Sequence, residues 1–218
     1  MSGNKKQAIT ELWHQMIHND DMKAFEALFY ALNSRLIKFS QLYFPRKEVA
    51  EEIVSDVFVH CWINRANLAH VKSPETYLFV AVKNGAISQS KSSAKMILIS
   101  IDENSETLIE TYQPDTEFEK KELFHKLDRA IESLPLQCKV IFKLVKEDGM
   151  KCKEVAEILE ISPRTVETQL YRAMNKLSYI MTDYQKVREK GKVVNINVAS
   201  LVILTLIQLF SFITGHHL

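Results

Sequence analysis

Two short amphipathic runs meet at Ser162-Pro163, and the segment from Lys151 to Ala173 constrains the fold of this chain more than any other. In the first run Val155, Ile158 and Leu159 point one way, and Ala156 is small enough to let a second helix cross closely. Ile161 plugs the turn, Ser162 supplies an N-cap oxygen, and Pro163 occupies the first helical position, where its missing N–H costs nothing. Val166, Leu170, Ala173 and Leu177 then recur at +4, +3 and +4, so the second helix buries one stripe. Arg164, Thr165, Glu167, Thr168, Tyr171, Arg172 and Asn175 are left on its outer face.

A helix that is apolar inside and carries Arg, Thr and Glu near its N-terminus meets the demands of major-groove reading. That groove is ~12 Å wide, admits one helix, and presents base-edge donors and acceptors that these side chains match. The net charge of the chain is +1, so attraction to phosphate must come from local segregation. An ordinary solvated helical hairpin has the same periodicity, but not the ordered set of Ala156, tight turn, Ser162-Pro163 and Val166.

The rest of the chain is helical by the same test. Ile9, Leu12, Trp13, Met16 and Ile17 share a face, and Asn19-Asp20-Asp21 ends that run and offers an N-cap to the next. Phe25, Leu28, Phe29, Leu32, Leu36 and Phe39 form a second stripe, which Pro45 closes. Val49, Ile53, Val57 and Cys61 line a third helix with Phe58 and Trp62 beside them, and Tyr77 to Ile87 follow Ser73-Pro74 as a fourth. With 5 Gly and 5 Pro in 218 residues, the chain lacks the turn density of a β sandwich. The fold class is all-α.

Composition divides the chain. Residues 83–100 carry Lys83, Lys91 and Lys95 and no acid, whereas residues 102–122 carry eight acids against Lys120 and Lys121. This predicts an N-terminal helix over 1–21, a helical domain over 22–97, an acidic linker over 98–117, and a helix-turn-helix domain over 118–182. A C-terminal hydrophobic helix is predicted over 193–215. Residues 196–214 hold twelve Ile, Leu, Val or Phe residues and no charge, with Lys186, Arg188, Lys190 and Lys192 upstream. A bilayer needs ~20 mostly apolar residues, so three readings stay open: a membrane anchor, a helix folded back on the protein, and a docking helix for a membrane-bound partner.

Three cysteines, Cys61, Cys138 and Cys152, without a Cys-x-x-Cys pair, argue against a disulfide framework or a zinc knuckle and fit a reducing cytoplasm. His14 and His18 lie one turn apart without a third ligand in the sequence, and no phosphate loop, nucleophile elbow or carboxylate pair in a recognisable context is present. No catalytic site, metal or cofactor is expected.

Leu134-Pro-Leu-Gln-Cys-Lys-Val-Ile-Phe-Lys-Leu144 with the helix-turn-helix resembles region 4 of the extracytoplasmic-function sigma factors, in particular the branch expanded in Bacteroides-like bacteria. Ala24-Phe-Glu-Ala-Leu-Phe29 resembles the start of region 2, Glu51 to Trp62 the segment that grips the polymerase clamp, and Ser73 to Asn84 the part that melts and reads the −10 element. The resemblance covers roughly residues 22 to 180. It implies a factor that binds core RNA polymerase and promoter DNA, with a membrane-bound anti-sigma factor as a further partner. By matching position, Glu52, Asp56, Phe58 and Trp62 would contact the polymerase. Tyr77, Lys83, Asn84, Gln89 and Lys91 would meet the −10 strand, and Arg164, Thr165, Glu167, Thr168 and Arg172 the −35 duplex. The acidic linker would lie in the polymerase's RNA path.

Three residues depart from the family pattern. Ser88 stands where Asp is usual, Cys152 replaces a polar or aromatic residue, and Glu160 takes a turn position usually given to Gly. A left-handed backbone at Glu160 would cost about 1 kcal/mol. The alternative reading is a helix-turn-helix regulator that acts without core polymerase. One such candidate, a response regulator, would need an alternating strand–helix receiver domain that residues 1 to 100 do not show.

Overall fold

The computed structural model describes residues 2–97 and 125–189, and among these every regular element is helical. Four helices precede the undescribed segment: α1 (Ser2–Asn19), α2 (Met22–Gln41), α3 (Lys47–Ile63) and α4 (Pro74–Ile97). Four follow it: α5 (described over 125–132), α6 (Leu136–Phe142), α7 (Cys152–Leu159) and α8 (Pro163–Glu189). Among the described residues no helix is long and apolar enough to cross a membrane. The run 193–215 and the acidic stretch 98–117 lie outside the described residues.

The helix boundaries follow from capping chemistry. Asp21 caps α2 by accepting from the backbone N–H groups of Lys23 (2.8 Å) and Ala24 (3.3 Å), which satisfies two otherwise orphaned donors. Asp20, immediately before it, takes the left-handed turn at φ 51° that redirects the chain out of α1. Pro74 opens α4 as its first helical residue, and Ser73 Oγ donates to Thr76 Oγ1 at 2.9 Å. The fourth helix is longer than the apolar stripe from Tyr77 to Ile87 indicated, because the polar residues that follow are good enough helix formers to continue it to Ile97.

Trp13 and Met16 of α1 are fully buried, so this helix is part of the packed structure. In α2 the buried positions Ala24, Leu28, Leu32, Leu36 and Phe39 recur every third or fourth residue. Phe25 and Phe29 lie at the edge of that stripe and sandwich Phe58 at ring separations of 6.1 and 5.0 Å, both edge-on. In α3 the buried residues are Ala50, Ile53, Val54, Phe58 and Cys61, whereas Val49 and Val57 are only partly covered. Gly85 marks the closest approach of α3 to α4: a Cβ there would meet Ile53 Cγ2 at 2.9 Å. The α3–α4 crossing therefore requires a residue without a side chain.

In the C-terminal group, α6 ends in a widened π turn over Lys143–Glu147. Asp148 N–H donates to Lys143 O at 3.0 Å, and Gly149 at φ 68° lets Met150 N–H reach Leu144 O. Ala130, Ile131, Leu134, Cys138, Ala173 and Leu177 form a small core that fastens α5 and α6 to α8. A larger core is continuous across both groups: Leu78, Val82 and Ala86 of α4 belong to the same buried cluster as Val155, Ala156 and Ile158 of α7.

Candidate nucleic-acid and polymerase interfaces

The turn between α7 and α8 is built as its sequence demands. Lys151 N–H donates to Glu154 Oε2 at 2.8 Å and opens α7. At its end Glu160 adopts φ 55°, ψ 43°, and Ile161 N–H returns to Ala156 O at 3.0 Å. This is the six-to-one closure of a Schellman turn, with a glutamate at the left-handed position. Ser162 Oγ then accepts from Thr165 N–H at 3.0 Å and caps α8.

Val166, Leu170, Ala173 and Leu177 are at most 4% exposed, so α8 cannot rotate without unburying its whole apolar stripe. That fixes the opposite face outward: Arg164, Glu167, Thr168, Tyr171, Arg172 and Asn175 are exposed. Thr168 Oγ1 donates to Arg164 O at 2.8 Å, which leaves the hydroxyl oxygen as an acceptor. Thr165 is half-buried, and its hydroxyl shares a 2.8 Å hydrogen bond with Ser162 Oγ. Among the described residues neither Arg164 nor Arg172 is held by an ion pair, so both guanidinium groups are available to a phosphate or a guanine edge.

On α4 the expected strand-contacting residues separate into two faces. Tyr77, Asn84 and Lys91 recur every seven residues and so share one side; Tyr77 is half-buried and the other two are exposed. The Tyr77 ring packs edge-on against Trp13 at 5.8 Å, and burial, with Cys61 nearby, raises its phenol pKa. Tyr77 and Gln89 line an open groove of about 380 Å³ between α3 and α4, together with Asp56, His60 and Ser88. Lys83 lies on the other side of α4. It is only 6% exposed, and its ammonium meets Glu160 Oε1 at 2.5 Å, which holds the Glu160 carboxyl below its ordinary pKa. In this conformation Lys83 is not open to an incoming strand; the sequence grouped it with its neighbours because the contact lies 77 residues away in the chain.

On α3, Glu52 and Asp56 are exposed and one turn apart. Phe58 is 2% exposed and packs inside between Phe25 and Phe29, so it holds the helix in place and does not itself reach a partner. Trp62 is half-buried, with Phe25 on one side at 5.1 Å and the Arg65 guanidinium over its ring at 4.4 Å. Sequence reasoning missed Val59 and Ile63, which are 53% and 68% exposed. They continue the stripe of Glu52 and Asp56 at helical spacing. The signal was present: two apolar residues in register with two acids on one face.

The family model for sigma-70, region 4, matches residues 124–177. The chain is similar to the ECF RNA polymerase sigma-E factor of Escherichia coli strain K12, at 24% identity over 176 residues, covering 77% of this chain and 92% of that one. It is also similar to a probable RNA polymerase sigma factor of Haemophilus influenzae, at 20% identity over 162 residues, covering 67% and 84%. Among solved structures, it resembles the sigma factor RpoE in complex with the anti-sigma factor NepR from Bartonella quintana, at a TM-score of 0.56, with 16% identity and coverage of 74% and 98%. CnrH in complex with the cytosolic domain of CnrY matches at a TM-score of 0.52, with 16% identity and coverage of 82% and 97%. These likenesses do not single out the Bacteroides-like branch. Residues 124–177 thus match sigma-70, region 4, and over most of its length the chain is similar to extracytoplasmic-function sigma factors.

Proposed function

We propose that the chain binds core RNA polymerase and directs it to promoters that carry −35 and −10 elements, where it supports DNA melting. The observation that carries this reading is the fixed outward face of α8, with Arg164, Glu167, Thr168 and Arg172 exposed over a fully buried stripe. A helix of this kind enters a major groove with its N-terminal side chains on base edges. Thr165 contributes through the Ser162 cap more than through direct contact. Tyr77, Asn84, Gln89 and Lys91 are assigned to the opened −10 strand, which needs aromatic and polar groups beside unpaired bases and cations along phosphates. Glu52, Asp56, Val59 and Ile63 are assigned to the polymerase, with Trp62 buttressing that surface. An apolar pair flanked by acids suits a basic partner with apolar anchors.

Within this reading, residues 22–97 and 118–182 act as two units, the acidic linker 98–117 enters the polymerase's RNA path, and an anti-sigma factor is the natural antagonist. The chain works in the cytoplasm, where core polymerase is found, and no catalytic chemistry is assigned to it. A membrane contact through residues 196–214 has no support from the described residues. The test is run-off transcription from a promoter captured with the purified factor and core enzyme. Transcripts that require both proteins support the assignment. Operator binding by the chain alone, with no core-dependent transcript, would favour a helix-turn-helix regulator instead.

A further inference from the structure

Outside the surfaces assigned above, one pair of metal-ligating side chains stands in register. His14 and His18 lie one turn apart on α1, and both are exposed. Their ring centres are 5.7 Å apart, with the ring planes 9° from parallel. Histidines at i and i+4 on one helix face are the arrangement by which a helix offers two imidazoles to zinc. With Zn–N near 2.1 Å and a tetrahedral angle, each ring centre lies about 3.2 Å from the ion, so the two centres must stand about 5.3 Å apart. The spacing in α1 already comes close to that value. What remains is rotation about the side-chain bonds, which exposure permits.

The backbone beneath the pair is fixed. Trp13 and Met16 are fully buried in the same turns, and the Trp13 ring packs edge-on against Tyr77. The helix cannot unwind there without leaving the core, so the ordering cost of chelation falls on the two imidazoles alone. Glu11, one turn before His14 on the same side, is exposed and adds negative charge beside an incoming cation. The two carboxylates that follow α1 are already engaged: Asp20 takes the Arg65 guanidinium at 2.5 Å, and Asp21 caps α2. Among the described residues, no group of three histidine, cysteine or acidic side chains is placed to hold a metal. The pair is therefore a two-point chelate whose remaining positions are filled by water.

We propose that His14 and His18 form a binding site for a divalent transition-metal ion of the zinc and nickel class. Imidazole suits those ions, whereas carboxylate and carbonyl oxygens suit magnesium and calcium. Gln15 stands where a catalytic H-E-x-x-H helix carries its glutamate base, so the ion binds here without hydrolytic chemistry. Once bound, it ties together the last two turns of α1 and braces the part of the helix on which Trp13 supports Tyr77. The inference is independent of the promoter reading.

The test is isothermal titration of the full chain with zinc chloride, and separately with nickel chloride, with the thiols kept reduced. The chain has seven histidines and three cysteines, with His216 and His217 adjacent near its end, so the site is read by difference between variants. His14→Gln and His18→Gln are each expected to weaken the binding of one zinc ion by about tenfold or more, no less than the loss of an outer-shell partner does. The double variant should bind no more weakly than either single one, because one imidazole alone makes no chelate. His216→Gln with His217→Gln should leave that ion in place. Gln15→His with His18→Gln keeps the number of imidazoles but sets two neighbours about 100° apart around the helix, and should not restore binding. In histidine-selective magnetic resonance spectra, two of the seven imidazoles should shift first with zinc in the wild type and in neither single variant. All these positions on α1 are exposed, and unchanged far-ultraviolet dichroism confirms the fold of each variant. Equal zinc binding by the wild type and the double variant, loss of the ion with His216 and His217, or rescue by Gln15→His would each overturn the proposal.

Discussion

Replacing Arg35 with alanine is expected to destabilise the fold more than any other charge deletion among the described residues. The Arg35 guanidinium donates to Glu75 and to Asp148 and lies over the Phe79 ring, with its carbon 5.5 Å from the ring centre. Burial alone would lower its pKa, but the carboxylates of Asp148 and Glu75 outweigh that effect and raise it. Glu75 is only 8% exposed as a residue, so removing its partner strands a carboxylate away from water. Breaking a buried pair in this way typically costs ~3–5 kcal/mol. The side chains of Glu75 and Asp148 retain 10% and 20% exposure, so water can partly solvate the remaining charges, and the lower end of that range applies. At about 3 kcal/mol, a chain of this size should lose ~6–12 °C in melting temperature. Urea unfolding followed by far-ultraviolet dichroism measures the change. The double variant Arg35→Met with Glu75→Gln should recover much of the loss, because the more buried carboxylate leaves with its cation, Asp148 keeps more access to water, and the methionine stem keeps the contact with Phe79. A cost below 1 kcal/mol for Arg35→Ala, or no recovery in the double variant, would refute the reasoning.

Three further outcomes follow from the site geometry. Arg164→Ala should weaken binding to a −35 duplex by ~1–3 kcal/mol and relax preference at one base pair; unchanged affinity and preference in a gel-shift titration would remove Arg164 from base reading. Ile63→Asp should reduce affinity for core polymerase at least about tenfold with little change in the urea midpoint, since Ile63 is solvent-facing. Phe58→Ala on the same helix should instead cost ~3–5 kcal/mol of stability, and the reverse pattern would contradict the assignment of the two faces. Burial pushes the Cys61 thiol from 9.0 up to about 12. The folded state keeps its proton while the unfolded state loses it, so stability should be full below pH ~8.5 and fall above that by up to about 1.4 kcal/mol per pH unit from this group. Cys61→Ala should flatten that part of the pH profile, and an identical slope would exclude the thiol as its source.

The residues that could be read from the sequence are those whose role is settled within one or two helical turns. The stripes of α1 and α2, Asp21 as a cap, Pro74 and Pro163 as first helical residues and the buried register of α8 all follow from local spacing and side-chain chemistry. The left-handed backbone at Glu160 was foreseeable from its place in the turn, although the use of its side chain was not. What escaped the sequence depends on distant contacts. Lys83 looks like a solvated cation until Glu160 is brought beside it. Phe58 and Val59 are adjacent and apolar, and only the packing of α2 against α3 decides which turns inward. The π turn at Lys143–Glu147 leaves no periodic signal, and Gly85 gains its meaning only from the position of Ile53 on another helix.

Mapping where photoreactive side chains at Ser88 and Tyr171 attach, in one complex with core polymerase and promoter DNA, distinguishes two-element recognition from single-site binding. Both positions are exposed, one beside the groove between α3 and α4 and the other on the outer face of α8. Attachment is expected at Ser88 to the opened strand and at Tyr171 to duplex about 25 base pairs upstream, in both cases only when core polymerase is present. Attachment of both side chains to a single short site, or attachment at Tyr171 that is the same without polymerase, would contradict it.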